Sequence, residues 1–175
     1  MANILIAYST VDGHTRKICE RLQEVLESQQ QTVSIFPIEK DINREIASFD
    51  KIIIGSSIRY GNYRPELFEF ISKNLSVLNN KPSAFFSVNM VARKPQKAQP
   101  ETNPYLQKFL KKSPWQPKTL AVFAGQIDYP KYGFFDRVMI QFIMKITKGP
   151  TDRHASFEFT DWTRVEAFAE TISQM

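Results

Sequence analysis

Tyr8-Ser9-Thr10-Val11-Asp12-Gly13-His14-Thr15 follows the apolar run Ile4-Leu5-Ile6-Ala7 and leads into an amphipathic segment that starts near Arg16. An apolar run, a hydroxyl-rich turn with one glycine and then a helical pattern predict a strand, a loop and a helix N-terminus. Such a loop suits a phosphate. The first-turn N–H groups of a helix have no internal partner, and the macrodipole places partial positive charge at that end. Ser9, Thr10 and Thr15 add hydroxyl donors, and Gly13 allows close backbone approach. No Lys or Arg precedes Arg16 in the loop, and Gly-x-x-x-x-Gly-Lys-Ser/Thr is absent, which disfavours a nucleoside triphosphatase. A phosphate monoester held by neutral donors fits better. Taken alone, the cluster reads equally well as a plain helix cap.

The chain has 175 residues, enough for one domain with a full core, and its 42% hydrophobic and 23% charged content is that of a globular protein. A single cysteine, Cys19, rules out a disulfide framework and sits in the helical pattern Ile18-Cys19-Leu22-Val25-Leu26 as a core thiol. The two histidines, His14 and His154, lack ligand-spaced partners, so no metal is expected. The N-terminus runs directly into a strand with no signal-peptide pattern, which predicts a cytoplasmic protein. The net charge of +5 points to an anionic partner. Nucleic acid is not expected among them.

Strands are expected at 32–36, 50–55, 83–88 and 119–125 in addition to the first, the third and fourth being continuous apolar runs of the kind buried in parallel sheets. Helices are expected from the first loop to about Gln30, at 65–74, 103–111 and 161–173. Five strands alternating with helices predict an α/β fold, a doubly wound five-stranded parallel sheet spanning 1–175 as one domain. In such sheets ligands bind beyond the carboxyl ends of the strands. Three loops lie there: 9–15, 56–64 and 89–100. The second, Gly55-Ser56-Ser57-Ile58-Arg59-Tyr60-Gly61-Asn62-Tyr63, offers hydroxyls, two aromatic rings and a glycine. The third, Ser87-Val88-Asn89-Met90-Val91-Ala92-Arg93-Lys94-Pro95, is apolar and then basic. All three are expected to meet above one sheet edge.

One segment breaks the alternation. Between the fifth strand and the last helix lies an insertion of about 126–156, within which Phe134 to Lys148 reads as a helix apolar on nearly every side. Its apolar core, Val138 to Ile146, falls far short of the ~20 residues that span hydrocarbon. Two readings stand side by side. One is a helix folded onto the sheet or into a homo-oligomer interface. The other is a helix docked on the cytoplasmic face of the cell membrane as a peripheral anchor, with Tyr129, Tyr132, Phe134 and Phe135 at headgroup level and Lys131, Arg137, Lys145 and Lys148 toward anionic lipid.

The element order and first loop resemble flavodoxin. More narrowly, Tyr8-Ser9-Thr10-x-Asp12-Gly13-x-Thr15, Gly55-x-Ser57-Ile58-Arg59-Tyr60-Gly61, Ser87-Val88-Asn89-x-Val91-Ala92-Arg93-Lys94-Pro95 and the insertion from Tyr129-Pro130-x-Tyr132 to Lys145 resemble the quinone-dependent protoporphyrinogen dehydrogenases. The resemblance covers almost the whole chain. It implies a flavodoxin-like fold, bound flavin mononucleotide (FMN), and oxidation of protoporphyrinogen IX with menaquinone or ubiquinone as acceptor, in heme biosynthesis. The cofactor would be held by Ser9, Thr10, Val11, Asp12, Gly13, His14 and Thr15, by Ser57, Ile58, Arg59, Tyr60 and Gly61, and by Ser87, Val88, Asn89, Met90 and Val91. The substrate's propionates would meet Arg59, Arg93, Lys94 and Lys97.

Asp12 stands where flavodoxins commonly carry a hydroxyl, and it is expected to turn away from the phosphate and cap the helix. Met90 and Val91 stand where a tyrosine usually covers the outer flavin face, leaving room for a bulky substrate. No His or paired carboxylate in the loops calls for the role of general base, so none is assigned. A flavodoxin-type electron carrier would need neither the insertion nor the basic charge. An NAD(P)H:quinone reductase would need room for a second nucleotide, and no Gly-x-Gly-x-x-Gly is present. A phospho-receiver would need acidic residues where Tyr8-Ser9-Thr10 and Gly55-Ser56-Ser57 stand.

Overall fold

The computed structural model describes residues 1–175. Its five-stranded sheet runs β2-β1-β3-β4-β5, all parallel, with β1 Asn3–Ser9, β2 Thr32–Pro37, β3 Lys51–Ser57, β4 Ser83–Asn89 and β5 Thr119–Ala124. The chain leaves β1 for one sheet edge and returns through β3 toward the other. This reversal opens a crevice at the carboxyl ends of β1 and β3, beside the first loop.

Both faces of the sheet are covered, which is why its strands read as continuous apolar runs rather than alternating ones. Successive side chains point to opposite faces, so Ile52 and Ile54 enter one core and Ile53 the other. On the first face α2 (Pro65–Lys73), α3 (Leu75–Asn80) and α4 (Pro104–Lys112) bury Leu67, Phe70, Leu78, Leu106 and Phe109 against Leu5, Ile52 and Phe85. Phe85 and Phe109 stack with centroids 3.9 Å apart and planes 7° from parallel. On the second face α1 (His14–Ser28) and α6 (Trp162–Gln174) bury Ile18, Cys19, Leu22, Phe168 and Ile172 against Ile4, Ile6 and Phe86. Lys51, nearly buried, donates from Nζ to the carbonyls of Ile172 (3.0 Å) and Ser173 (2.8 Å), serving orphan acceptors at the end of α6.

Three local features differ from the sequence reading. Helix α1 begins at His14 rather than near Arg16, because its N-cap is Gly13 and no side chain marks the boundary. A short helix, α3, follows α2 where no element was expected; its six residues are too few for periodicity to register. The insertion also carries a two-stranded antiparallel ribbon, β6 (Gln126–Asp128) with β7 (Ser156–Glu158), on either side of α5 (Phe134–Ile146). Strands of three residues leave no pattern to read.

Candidate functional site

A cleft of about 540 Å³ opens at the carboxyl ends of β1, β3 and β4. Its lining brings together Thr10, Val11, Asp12, His14 and Thr15 from the first loop, Ser57, Ile58, Arg59, Tyr60 and Gly61 from the second, and Val88, Asn89, Met90, Val91 and Arg93 from the third. Of the residues expected there, five are not in the lining. Gly13 is the N-cap of α1, held at φ 87°, and its N–H donates to Thr10 Oγ1 at 3.0 Å. The Ser9 hydroxyl donates to the Glu39 carboxylate. Ser87 is fully buried behind the cleft, joined to Tyr63 Oη at 2.8 Å and to Asn89 Nδ2 at 3.0 Å. Lys94 lines a neighbouring open groove with Arg93 and Lys148, and Lys97 lines neither.

Two polar atoms at the start of α1 are buried without a partner, Thr15 Oγ1 and His14 Nδ1. Buried polar groups are otherwise almost always paired, and an orphaned hydroxyl beside the free first-turn N–H groups marks a place prepared for an acceptor. The residues present therefore suit a phosphate. His14 is neutral: burial is the largest effect on its pKa and lowers it. Thr160 Oγ1 gives its proton to the Ala124 carbonyl at 2.7 Å and so accepts from His14 Nε2 at 2.6 Å, which leaves the lone pair on Nδ1.

Asp12 lines the cleft and does not cap α1, which has no side-chain cap. Its carboxylate pairs with the guanidinium of Arg59, which also reaches Asp136 Oδ2 at 3.2 Å. The second loop is shaped for this by a turn at Tyr60 (φ 51°) and Gly61 (φ 78°), closed by reciprocal backbone bonds of 3.1 Å between Arg59 and Asn62. Positive φ at both central residues is the geometry of a tight two-residue hairpin turn, costless only for glycine.

The remaining wall comes from residues that the sequence did not place at the site. Helix α5 lies across the cleft and contributes Met139, Ile140, Ile143 and Met144, while Tyr132 and Thr147 come from its flanks and Tyr105, Gln126 and Ile127 from elsewhere. The helical apolar pattern was visible; which residues faced inward was not, because α5 is apolar on most sides. Within it only Met144 is buried, against Ile127, Tyr129 and Tyr132. Tyr129 and Tyr132 are thus packed inside a small core, not displayed at a surface. The outward face shows Phe134 (69% exposed), Phe135 (82%), Phe142 (58%) and Ile146 (64%). No helix of the protein is long and apolar enough to cross a membrane.

Comparison with known proteins agrees with this geometry. A family model described as a flavodoxin domain matches residues 5–154. Protoporphyrinogen IX dehydrogenase (quinone) of Escherichia coli strain K12 is 42% identical over 171 residues, covering 98% of this chain and 94% of that protein. The Leishmania major protein of the same name is 41% identical over 172 residues, covering 98% of this chain and 74% of that protein. Among solved structures, the Streptococcus pneumonia TIGR4 flavodoxin superposes with a TM-score of 0.52 at 12% identity over 99% of both chains, which shows a shared fold. The chain belongs to the flavodoxin domain family and, within it, to the group of the quinone-dependent protoporphyrinogen IX dehydrogenases.

Proposed function

We propose that this protein is an FMN-dependent oxidoreductase that converts protoporphyrinogen IX to protoporphyrin IX and delivers the electrons to a membrane quinone, menaquinone or ubiquinone. The observation that carries this reading is the wall made by α5, whose Ile140, Ile143 and Met144 face the three cofactor loops across one cleft. A plain electron carrier has no use for such a wall. The phosphate end of FMN is assigned to the Thr15 hydroxyl and the first-turn N–H groups of α1, and its ring to the space between the second and third loops. When bound, the flavin supplies two-electron redox chemistry.

The chain's own residues bind and orient. Met90, Val91 and the inward face of α5 offer apolar surface to a macrocycle. Arg93 is the group suited to a propionate: it is half-buried, and its guanidinium meets only neutral oxygens, Met90 O at 2.9 Å and Thr147 O and Oγ1 at 3.0 and 3.2 Å. Lys94 lies beside it in the adjoining groove. Arg59 already faces two carboxylates, and Lys97 lies outside the cleft. Tyr132, its pKa pushed up to about 12 chiefly by burial, stays a neutral phenol in the cleft wall.

The outward face of α5, with exposed Lys131, Lys145 and Lys148 around its ring of aromatics, is assigned to a membrane surface bearing anionic lipid. That placement suits a lipid-soluble quinone and a poorly soluble substrate. The decisive experiment is anaerobic: FMN-loaded protein is mixed with protoporphyrinogen and flavin bleaching is followed. Rapid bleaching, reversed by quinone, is expected of the enzyme. Bleaching by a nicotinamide nucleotide and not by protoporphyrinogen would favour an NAD(P)H:quinone reductase instead.

A further inference from the structure

Helix α5 has little to hold it in place. Thirteen residues make a helix of marginal stability by itself, and only Met144 is buried. Its two ends, however, are gripped by arginines from two different cofactor loops. At the N-terminal end both oxygens of Asp136 are taken by the second loop: Arg59 Nη1 donates to Oδ2 at 3.2 Å, and the Tyr60 hydroxyl donates to Oδ1. At the C-terminal end Arg93 of the third loop donates to the Thr147 carbonyl at 3.0 Å.

The Arg59 grip extends further. Its other terminal nitrogen pairs with Asp12 in the phosphate loop, and its guanidinium carbon lies 5.5 Å from the Tyr132 ring centroid. The side chain is only 17% exposed. A planar fork of donors can serve two carboxylates at once, whereas a lysine amine is a compact point charge without that planar geometry. Asp136 also lies in the first turn of α5, where the helix dipole favours a carboxylate.

We propose that Arg59 is a positioning residue which, through Asp136, sets the distance of α5 from the phosphate loop and so fixes the wall of the substrate cleft. The arrangement also makes the two ends of the cleft electrostatically unlike. Two carboxylates flank one guanidinium at the Arg59 end, while Arg93 faces only neutral oxygens at the other. An anionic substrate therefore enters with its carboxylates toward Arg93 and away from Arg59. The substrate side of this inference rests on the proposed function; the position of α5 does not.

The test uses the full-length FMN-loaded protein with Asp136→Ala, Asp136→Asn and Arg59→Lys. Trypsin sites at Arg137 and Lys145 lie within α5, and Lys111 and Lys112 in α4 serve as the internal control. In each variant cleavage in α5 should accelerate severalfold while cleavage in α4 keeps its wild-type rate. The Michaelis constant for protoporphyrinogen should rise about tenfold, the size of one charge-assisted contact. For the Asp136 variants, turnover at saturation and FMN affinity should stay within about twofold of wild type by the same measure. A merely structural role would lower thermal stability and speed every cut together, in α4 as much as in α5. Unchanged cleavage in α5, or faster cleavage with an unchanged Michaelis constant, overturns the proposal. If the wild-type protein does not oxidise protoporphyrinogen, the proposed function fails, and the trypsin comparison alone decides whether Arg59 holds α5.

Discussion

His14 and Thr160 join the start of α1 to the segment before α6: Nε2 of His14 lies 2.6 Å from Thr160 Oγ1, which donates onward at 2.7 Å to the Ala124 carbonyl at the end of β5. The relay fixes the imidazole as a donor at one nitrogen and leaves the other buried without a partner. Its pKa is lowered from 6.5, mainly by burial, so the folded state holds His14 neutral while the unfolded chain takes up a proton below that value. A depressed folded-state pKa gives stability that is present above the unfolded value and lost as pH falls. Thermal melts of the FMN-free protein should therefore show a decline in Tm below about pH 6.5, on the unperturbed histidine scale. In His14→Gln, which keeps a side-chain donor and cannot titrate, the decline should be shallower. Parallel curves for the two proteins would remove His14 as its cause.

Thr15 separates binding from stability. Its hydroxyl is fully buried and unpaired, so Thr15→Val replaces an orphaned polar group with an isosteric methyl. The FMN-free variant should melt no lower than wild type, and slightly higher is expected. FMN affinity should fall by about 1.5–3 kcal/mol, the usual worth of a hydrogen bond to a charged group, read by quenching of flavin fluorescence. Wild-type affinity would place the phosphate elsewhere.

Behind the third loop, Asn103 and Asn89 bond reciprocally at 3.0 and 3.2 Å, and Asn103 also caps α4 by accepting from Leu106 N at 3.1 Å. A further donation from Asn103 to the Lys97 carbonyl at 2.9 Å ties down the far part of the loop. Asn103→Ala removes a cap and leaves buried partners unpaired, so it should cost about 2–4 kcal/mol in denaturant unfolding. Because Asn89 lines the cleft, FMN affinity should fall as well, although Asn103 does not line it. A loss of stability below about 1 kcal/mol would show that water replaces these bonds at little cost.

How much of this was legible follows from how far apart the interacting residues lie. The five strands announced themselves because a sheet covered on both faces needs unbroken apolar runs, as in Ile52-Ile53-Ile54 and Ala84-Phe85-Phe86. The first loop was legible because its hydroxyls and Gly13 are consecutive. Asp12 was misjudged, since its real partner, Arg59, lies 47 residues on and a nearer helix end offered itself as a local explanation. Tyr129 and Tyr132 were placed at a surface because aromatic rings beside lysines read alike in a membrane belt and in a small core. They are enclosed by Ile127 of β6 and Met144 of α5, residues that only the folded chain brings beside them. Arg59 stood out as a basic residue in a binding loop, while the two carboxylates that balance it belong to two other segments.

The outward face of α5 provides the final prediction. Phe135 and Phe142 are 82% and 58% exposed and line no part of the cleft, whereas Ile140 faces inward and a charge there would disturb the site itself. Replacing both phenylalanines by aspartate should leave the fold intact, because exposed side chains contribute little to it. Membrane binding should respond strongly. Each ring loses its apolar contact with the acyl boundary, and two negative charges are set against the attraction of Lys131, Lys145 and Lys148 to anionic lipid, worth about 1 kcal/mol per cation near the surface. In flotation with vesicles containing phosphatidylglycerol, the wild-type protein should rise with the lipid at low salt and less so at high salt, where exposed charges are screened. The double variant should stay at the bottom under both conditions, with an unchanged Tm and unchanged FMN affinity. Equal flotation of the two proteins, or none of either, would exclude this apolar face as the membrane contact. Sedimentation of the same pair over a range of concentrations then tests whether the face pairs two copies of the chain, in which case the wild type dimerises and the double variant does not.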